Sequence, residues 1–303
     1  MKKILVPVDF SEVSNNAVDF AVNLAEKFNA ELTLMHSVSF QYFADFQYHI
    51  HEDVRKMINE AKGEARDKID AIIGSLKSDI DVLGHVGSNN LIDEIREMIS
   101  RHDFDLVVVG THGSHGWKEF LTGSNTEKIV RRISIPVIAV PAKVTSTDIR
   151  KILVPLDLRE IRRGFFDEVA KLQRSFSAAL EFVWIKTPHN IESDEIVTQE
   201  LTILLKEQGV ENFSFSIDHE IFPSDGILKH AKETAADMIA MATHGRRGIS
   251  HWLSGSLTED TLNHIHIPVW AFKLDKQEKP IVLTSVKEAK GKPLYKDIKT
   301  PMK

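Results

Sequence analysis

The 303-residue chain carries 44 acidic against 38 basic residues, a formal net charge of −6, and so has no general electrostatic basis for holding nucleic acid or an anionic membrane. It contains no cysteine, which excludes disulfides, thiolate catalysis, cysteine zinc sites and cysteine-ligated iron–sulfur clusters. With 42% hydrophobic and 27% charged residues it is an ordinary folded protein long enough for two domains, and no apolar run approaches the ~18–20 residues that span a bilayer, so neither signal peptide nor anchor is expected and the setting reads as cytoplasmic.

Ile4 to Val8 is a short apolar, β-branched run of the kind buried on both faces of a parallel sheet. Ser11 then makes an N-cap, and Ala17, Phe20, Ala21, Leu24, Ala25 and Phe28 recur at helical spacing. Leu32 to Val38 is the next strand. A long helix follows, with Val54, Met57, Ile58, Ala61, Ile69 and Ile72 on one side, and then a weaker strand from Ile80 to Val86. Leu91, Ile92, Ile95, Met98 and Ile99 mark another helix, and Leu106 to Val109 another buried strand. After a glycine-rich loop come a short helix with Ile129 and Val130 and a closing strand through Pro136 to Val140. Five strands alternating with helices predict an open parallel α/β sheet with right-handed crossovers.

The chain then repeats itself. Lys3-Ile4-Leu5-Val6-Pro7-Val8-Asp9 returns as Lys151-Ile152-Leu153-Val154-Pro155-Leu156-Asp157, 148 residues on. Thr111-His112-Gly113 returns as Thr243-His244-Gly245, Gly123-Ser124 as Gly255-Ser256, and Ile135-Pro136-Val137 as Ile267-Pro268-Val269, each 132 residues on. The second copy therefore lacks 16 residues, and the loss falls after its second strand. There the first copy carries Phe40, Tyr42, Phe43, Phe46 and Tyr48, which suit packing between domains or on a partner subunit, or else a flap over a ligand. The predicted organisation is a first domain at 1–147, a second at 148–274 and a Lys-rich tail at 275–303 draped over the surface.

Chemistry concentrates at the glycines. The chain has no G-x-G-x-x-G, no G-x-x-x-x-G-K-[ST], no H-E-x-x-H and no G-x-S-x-G. Instead, Gly110 ends a buried strand, where it lets a backbone or a ligand come close, and Gly110-Thr111-His112-Gly113 is followed nine residues later by Gly123-Ser124. Ser124 and Glu127 match the S-x-x-E capping box, and a helix start with free N–H groups attracts anions. Together these describe a phosphate cradle. Ligands of doubly wound sheets bind beyond the carboxyl ends of the strands, where the strand order reverses; if the first and fourth strands are neighbours there, Asp9 and Gly110 share one crevice. The bland alternative is that Ser124 and Asp9 only cap helices and the glycines only make turns. The 14 histidines show no strong metal-ligand spacing, and no metal site is expected.

Val6-Pro7-Val8-Asp9 together with the G-x2-G-x9-G-S spacing of Gly110, Gly113, Gly123 and Ser124 resembles the ATP-binding branch of the universal stress protein family, across both halves. The resemblance implies two tandem open five-stranded parallel sheets flanked by helices, of the adenine nucleotide alpha hydrolase-like kind, joined near their last strands as an internal pseudo-dimer. It implies ATP, or AMP or ADP, as ligand, with Mg as a companion ion. By position, Pro7, Val8, Asp9 and Ser37 would flank adenine and ribose; Gly110, Thr111, His112 and Gly113 would line ribose and phosphates; Gly123, Ser124, Asn125 and Thr126 would hold the phosphate end. The second copy retains Asp157, Gly245, Gly255, Ser256 and Thr258 but has Ala242 for the first glycine, and Trp184 replaces His36 near the adenine position. Arg246 and Arg247 could compensate by pairing with phosphate, although solvated loop arginines are the plainer reading. One competent and one weakened or lost site are expected. The implied role is a cytoplasmic, nucleotide-dependent regulator or scaffold with slow or no hydrolysis, its implied partners an unidentified protein and a second copy of the tandem chain, with no catalytic residues assigned and no nucleic acid or membrane involved. A nucleotide-phosphate-cleaving enzyme and a metabolite or lipid scaffold with a vestigial motif are the alternatives.

Overall fold

The computed structural model describes residues 1–38, 52–111, 124–142, 144, 146–243, 267–275 and 277–285. The first half runs β1 (Lys3–Pro7), α1 (Glu12–Phe28), β2 (Glu31–Ser37), α2 (Glu52–Ser75), β3 (Val82–Gly87), α3 (Leu91–Arg101), β4 (Leu106–Gly110), α4 (Ser124–Arg132) and β5 (Val137–Val140). The second half runs β6 (Lys151–Pro155), α5 (Arg163–Phe176), β7 (Ala179–Lys186), α6 (Asp194–Glu207), β8 (Phe213–His219), α7 (Pro223–Glu233), β9 (Met238–Thr243) and β10 (Val269–Lys273). The aromatic segment 40–48 and residues 286–303 of the tail lie outside the described residues.

The apolar runs become strands because both faces of the sheet are covered. Ile4, Leu5 and Val6 are all fully buried, with Ile4 and Val6 in one helix-covered layer and Leu5 in the other. Helix α1 turns the predicted face inward: Ala17, Phe20, Ala21, Leu24 and Ala25 are buried, Ser11 accepts the Ser14 N–H as N-cap, and Asn29 ends the helix in the left-handed conformation. Helix α2 keeps the C-terminal part of its predicted face, Ile69 and Ile72, but not Met57. Met57 is 55% exposed, and the inward row is carried by Ala65 and Ile69 with Ile72 and Ile73 beside them. Much of the length difference between the halves lies here, since α2 has 24 residues and its counterpart α6 has 14.

Within each half all strand pairs are parallel, and β1 lies between β2 and β4, so the order reverses at the β1/β4 boundary. The second half repeats this with β6 between β7 and β9. The two sheets join through the antiparallel pair β5–β10 into one ten-stranded sheet, β3-β2-β1-β4-β5-β10-β9-β6-β7-β8. Ile138 faces Trp270, its equivalent under the 132-residue repeat, and the flanking pairs Val137–Ala271 and Ala139–Val269 exchange under the same repeat, as a two-fold relation requires. Phe28 and Phe176, equivalent under the 148-residue repeat, also meet each other, ring edge to face at 5.2 Å. The pseudo-dimer expectation holds, and pairing β5 with β10 leaves neither as an open edge.

Candidate functional site

The boundary between β1 and β4 opens into a cavity of about 120 Å³ lined by Pro7, Val8, Asp9, Ser11, Val13, Ser14, Leu91, Val109, Gly110, Asn125, Thr126 and Ile129. Six predicted ligand residues are therefore brought together: Pro7, Val8, Asp9, Gly110, Asn125 and Thr126. Asp9 Oδ1 accepts the Ser11 N–H at 3.0 Å and the Ser11 hydroxyl at 2.5 Å. Burial works to raise the Asp9 pKa, but hydrogen bonds from Ser11 and Ser14 outweigh it and hold the carboxyl below its ordinary value. Asp9 is thus an anion at neutral pH that braces the cap of α1. Thr126 donates to the Gly110 carbonyl at 3.0 Å, which ties the first turn of α4 to the end of β4.

Gly110 is required by a backbone. A Cβ there would lie 2.8 Å from Val13 Cγ1 and 2.9 Å from the Val13 carbonyl carbon, and closer still to the Val13 oxygen. The start of α1 presses on the end of β4, and only a missing side chain permits it.

Two predicted residues point their hydroxyls elsewhere. Ser37 donates to the Asn89 carbonyl, and Thr111, 1% exposed, turns its hydroxyl toward the Val140 carbonyl at 3.4 Å. Glu127, the far member of the expected capping box, pairs along the helix with Arg131, and the residues 121–123 that lead into Ser124 lie outside the described residues. His112, Gly113 and Gly123 lie outside the described residues, as does the side chain of Ser124.

Ser11, Val13, Ser14, Leu91, Val109 and Ile129 were not singled out as lining residues in the sequence, although their places at strand ends and helix starts mark them. A second missed feature adjoins the crevice. Phe10 has φ 65, a left-handed backbone that a bulky residue adopts only under strain, and its ring lies 4.5 Å from that of His36 with Lys68 Nζ 5.3 Å from its centroid. His36 Nδ1 donates to the Val8 carbonyl at 2.7 Å, which fixes the ring against β1. Leu158, the counterpart of Phe10, is not left-handed.

The equivalent cavity of the second half is about 20 Å³, lined by Pro155, Leu156, Asp157, Glu160, Ile161, Phe165, Met241 and Ala242. Asp157 is engaged by its own neighbour: Arg159 Nε reaches Oδ1 at 3.1 Å, Nη2 reaches Oδ2 at 3.3 Å, and the Arg159 N–H also bonds Oδ1 at 3.1 Å. Trp184 is 4% exposed where the first half has the partly exposed His36. Gly245, Gly255, Ser256 and Thr258, with Arg246 and Arg247, lie outside the described residues.

A doubly wound α/β protein with a crevice at each switch point, one open and one nearly closed, is the class that fold and site define. The universal stress protein family model matches residues 1–141 and again 148–273, and the chain belongs to that family as a tandem member. A universal stress protein of Methanocaldococcus jannaschii is 30% identical over 142 residues, which is 46% of this chain and 81% of that protein. A universal stress protein of Synechocystis is 24% identical over 188 residues, 60% of this chain and 62% of that one. Among solved structures, a universal stress protein from Archaeoglobus fulgidus has a TM-score of 0.62 at 17% identity, covering 91% of this chain and 97% of its own. Among the described residues no helix is long and apolar enough to cross a membrane.

Proposed function

We propose that this chain is an adenine-nucleotide-dependent regulator of the cytoplasm that binds ATP, or ADP or AMP, in its first half. The observation that carries the reading is the open crevice at the β1/β4 switch point, with an ionised Asp9 at one end and the first turn of α4 at the other. Asp9 would bond the ribose or base, and the N–H groups of Asn125 and Thr126, in the first turn of α4, would face phosphate oxygens. Among the described residues no group of three His, Asp or Glu side chains is arranged to hold a metal. Mg²⁺ would therefore arrive on the phosphates, where it neutralises their charge. We take the domains as 1–147 and 148–274, with 275–303 as tail. Hydrolysis is slow or absent, because the one carboxylate lining the described crevice is already committed to Ser11.

Titration calorimetry with ATP, ADP and AMP tests the reading. One equivalent per chain is expected, lost or weakened at least tenfold in Asp9→Ala; two equal sites would refute the asymmetry, and no binding at all would refute the nucleotide. Steady phosphate release well above that of a Gly113→Val control would instead favour an enzyme.

A further inference from the structure

In the second half, the chain that follows the last strand returns to the start of α5. Helix α1 begins at Glu12, whose repeat counterpart is Glu160, yet α5 begins only at Arg163. A difference stands across the crevice. Ala242 stands where Gly110 admits the Val13 carbonyl, the counterpart of Val13 is Ile161, both line the second cavity, and Glu160, Ile161 and Arg162 precede the helix there.

That displacement creates polar groups that need partners, and residues 275–285 supply them. The Ile281 N–H donates to the Ile161 carbonyl at 2.7 Å. Helix α5 has no side-chain N-cap of its own; the Glu278 carboxylate takes its place, accepting the Gly164 N–H at 3.0 Å. Arg162, with its side chain 10% exposed, donates from Nη1 to the carbonyls of Asp275 and Glu278 and from Nη2 to the Glu160 carboxylate at 3.0 Å. Farther on, Leu283 and Ser285 are buried, and Glu200 of α6 accepts the N–H groups of Thr284 and Ser285 at 3.1 Å each and the Ser285 hydroxyl at 2.7 Å. Burial would raise the Glu200 pKa, but these bonds outweigh it and lower it. In the first half the chain after β5 is held to α1 by Asn16, which donates to the carbonyls of Pro141 and Val144, and by Lys27, which donates to that of Thr147.

Ile161, which the strap bonds directly, and Glu160, which it reaches through Arg162, are also walls of the small second cavity. We propose that residues 275–285 are a latch that holds the second crevice shut, and that its release lets residues 160–162 move and admits a ligand of the same adenine-nucleotide class to the second half. The latch rests on the nucleotide reading only for the identity of that ligand.

The test uses the full-length chain carrying Glu278→Ala and Ile281→Pro; the second change deletes the N–H that holds Ile161. Glu200→Ala serves as a separate release at the far anchor. Hydrogen exchange of residues 158–166 is expected to rise at least tenfold in each, with residues 11–16 unchanged, and ATP stoichiometry is expected to rise from one to two. Unchanged exchange at 158–166 would overturn the latch. Faster exchange with stoichiometry still at one would overturn the gating, since Ala242 and Arg159 would then close the crevice unaided. If the wild-type chain binds no nucleotide, the proposed function fails while the exchange result still judges the latch.

Discussion

Gly110→Ala puts the central contact of the first crevice to the test. The added Cβ would lie 2.8–2.9 Å from Val13 Cγ1 and the Val13 carbonyl carbon, against an ordinary contact of 3.4–4 Å, so the first turn of α1 must retreat by roughly 0.5–1 Å. The opposing atoms include backbone at the start of a helix whose Phe20 and Leu24 are fully buried, so the strain cannot be shed by turning a side chain. Overpacking of this kind costs about 1–3 kcal/mol, and at about 2–4 °C per kcal/mol for a domain of this size the melting transition of the first half should fall by roughly 2–12 °C. The second half shows how the chain yields to an alanine at this place, by starting its helix later. In the variant, hydrogen exchange should therefore rise at residues 11–14, and ATP affinity should fall at least tenfold because Val13 and Gly110 both line the cavity. Calorimetry and exchange on the same sample decide it: a melting point within 1 °C of wild type, with affinity unchanged, would show that the approach of Val13 does not select the glycine.

Ser11→Ala removes both the N-cap of α1 and the hydroxyl on Asp9; chemical denaturation should show a loss of about 1 kcal/mol, and calorimetry a weaker nucleotide. Trp270→Ala at the seam, where the ring stacks on Phe272 at 6.0 Å and contacts Phe165 at 6.3 Å, should cost about 3–5 kcal/mol, read as a lower chemical-denaturation midpoint of the second half. Glu94 is 5% exposed; burial acts to raise its pKa, but bonds from His85 at 2.7 Å and the Asn89 N–H at 3.1 Å outweigh it and lower it. A carboxyl depressed by folding stabilises above its unfolded pKa and loses that contribution as pH falls through the folded value. Urea midpoints should therefore drop for the wild type below about pH 4, and Glu94→Gln should flatten that slope.

Buried parallel strands need apolar residues on both faces, so runs such as Ile4 to Val8 stand out without any neighbour being known, and the repeat of such runs exposes the tandem plan. Asp9 and Gly110 were legible because strand ends meet at the switch point of any doubly wound sheet, whereas Asn125 and Thr126 came only with the family resemblance. What was not legible depends on contacts distant in the chain. The late start of α5 goes with Ala242 on the facing wall of the cavity and with Ile281, which donates to the Ile161 carbonyl, and neither is near Glu160 in sequence. The left-handed backbone of Phe10 is invisible because bulky residues avoid it, and Ser37 finds Asn89 only once β2 and β3 are side by side. Met57 fits a helical period yet faces outward, because a 24-residue helix outruns the sheet beneath it.

The antiparallel seam of β5 and β10 joins two halves of one polypeptide rather than two copies of one gene product. In a symmetric dimer every substitution arrives twice, and a change that shuts one crevice shuts both. Here an alanine at position 242 alters one half alone, while the other keeps its glycine and its opening. Covalent linkage therefore frees one half to become a support for the other without breaking the symmetry of the sheet that binds them.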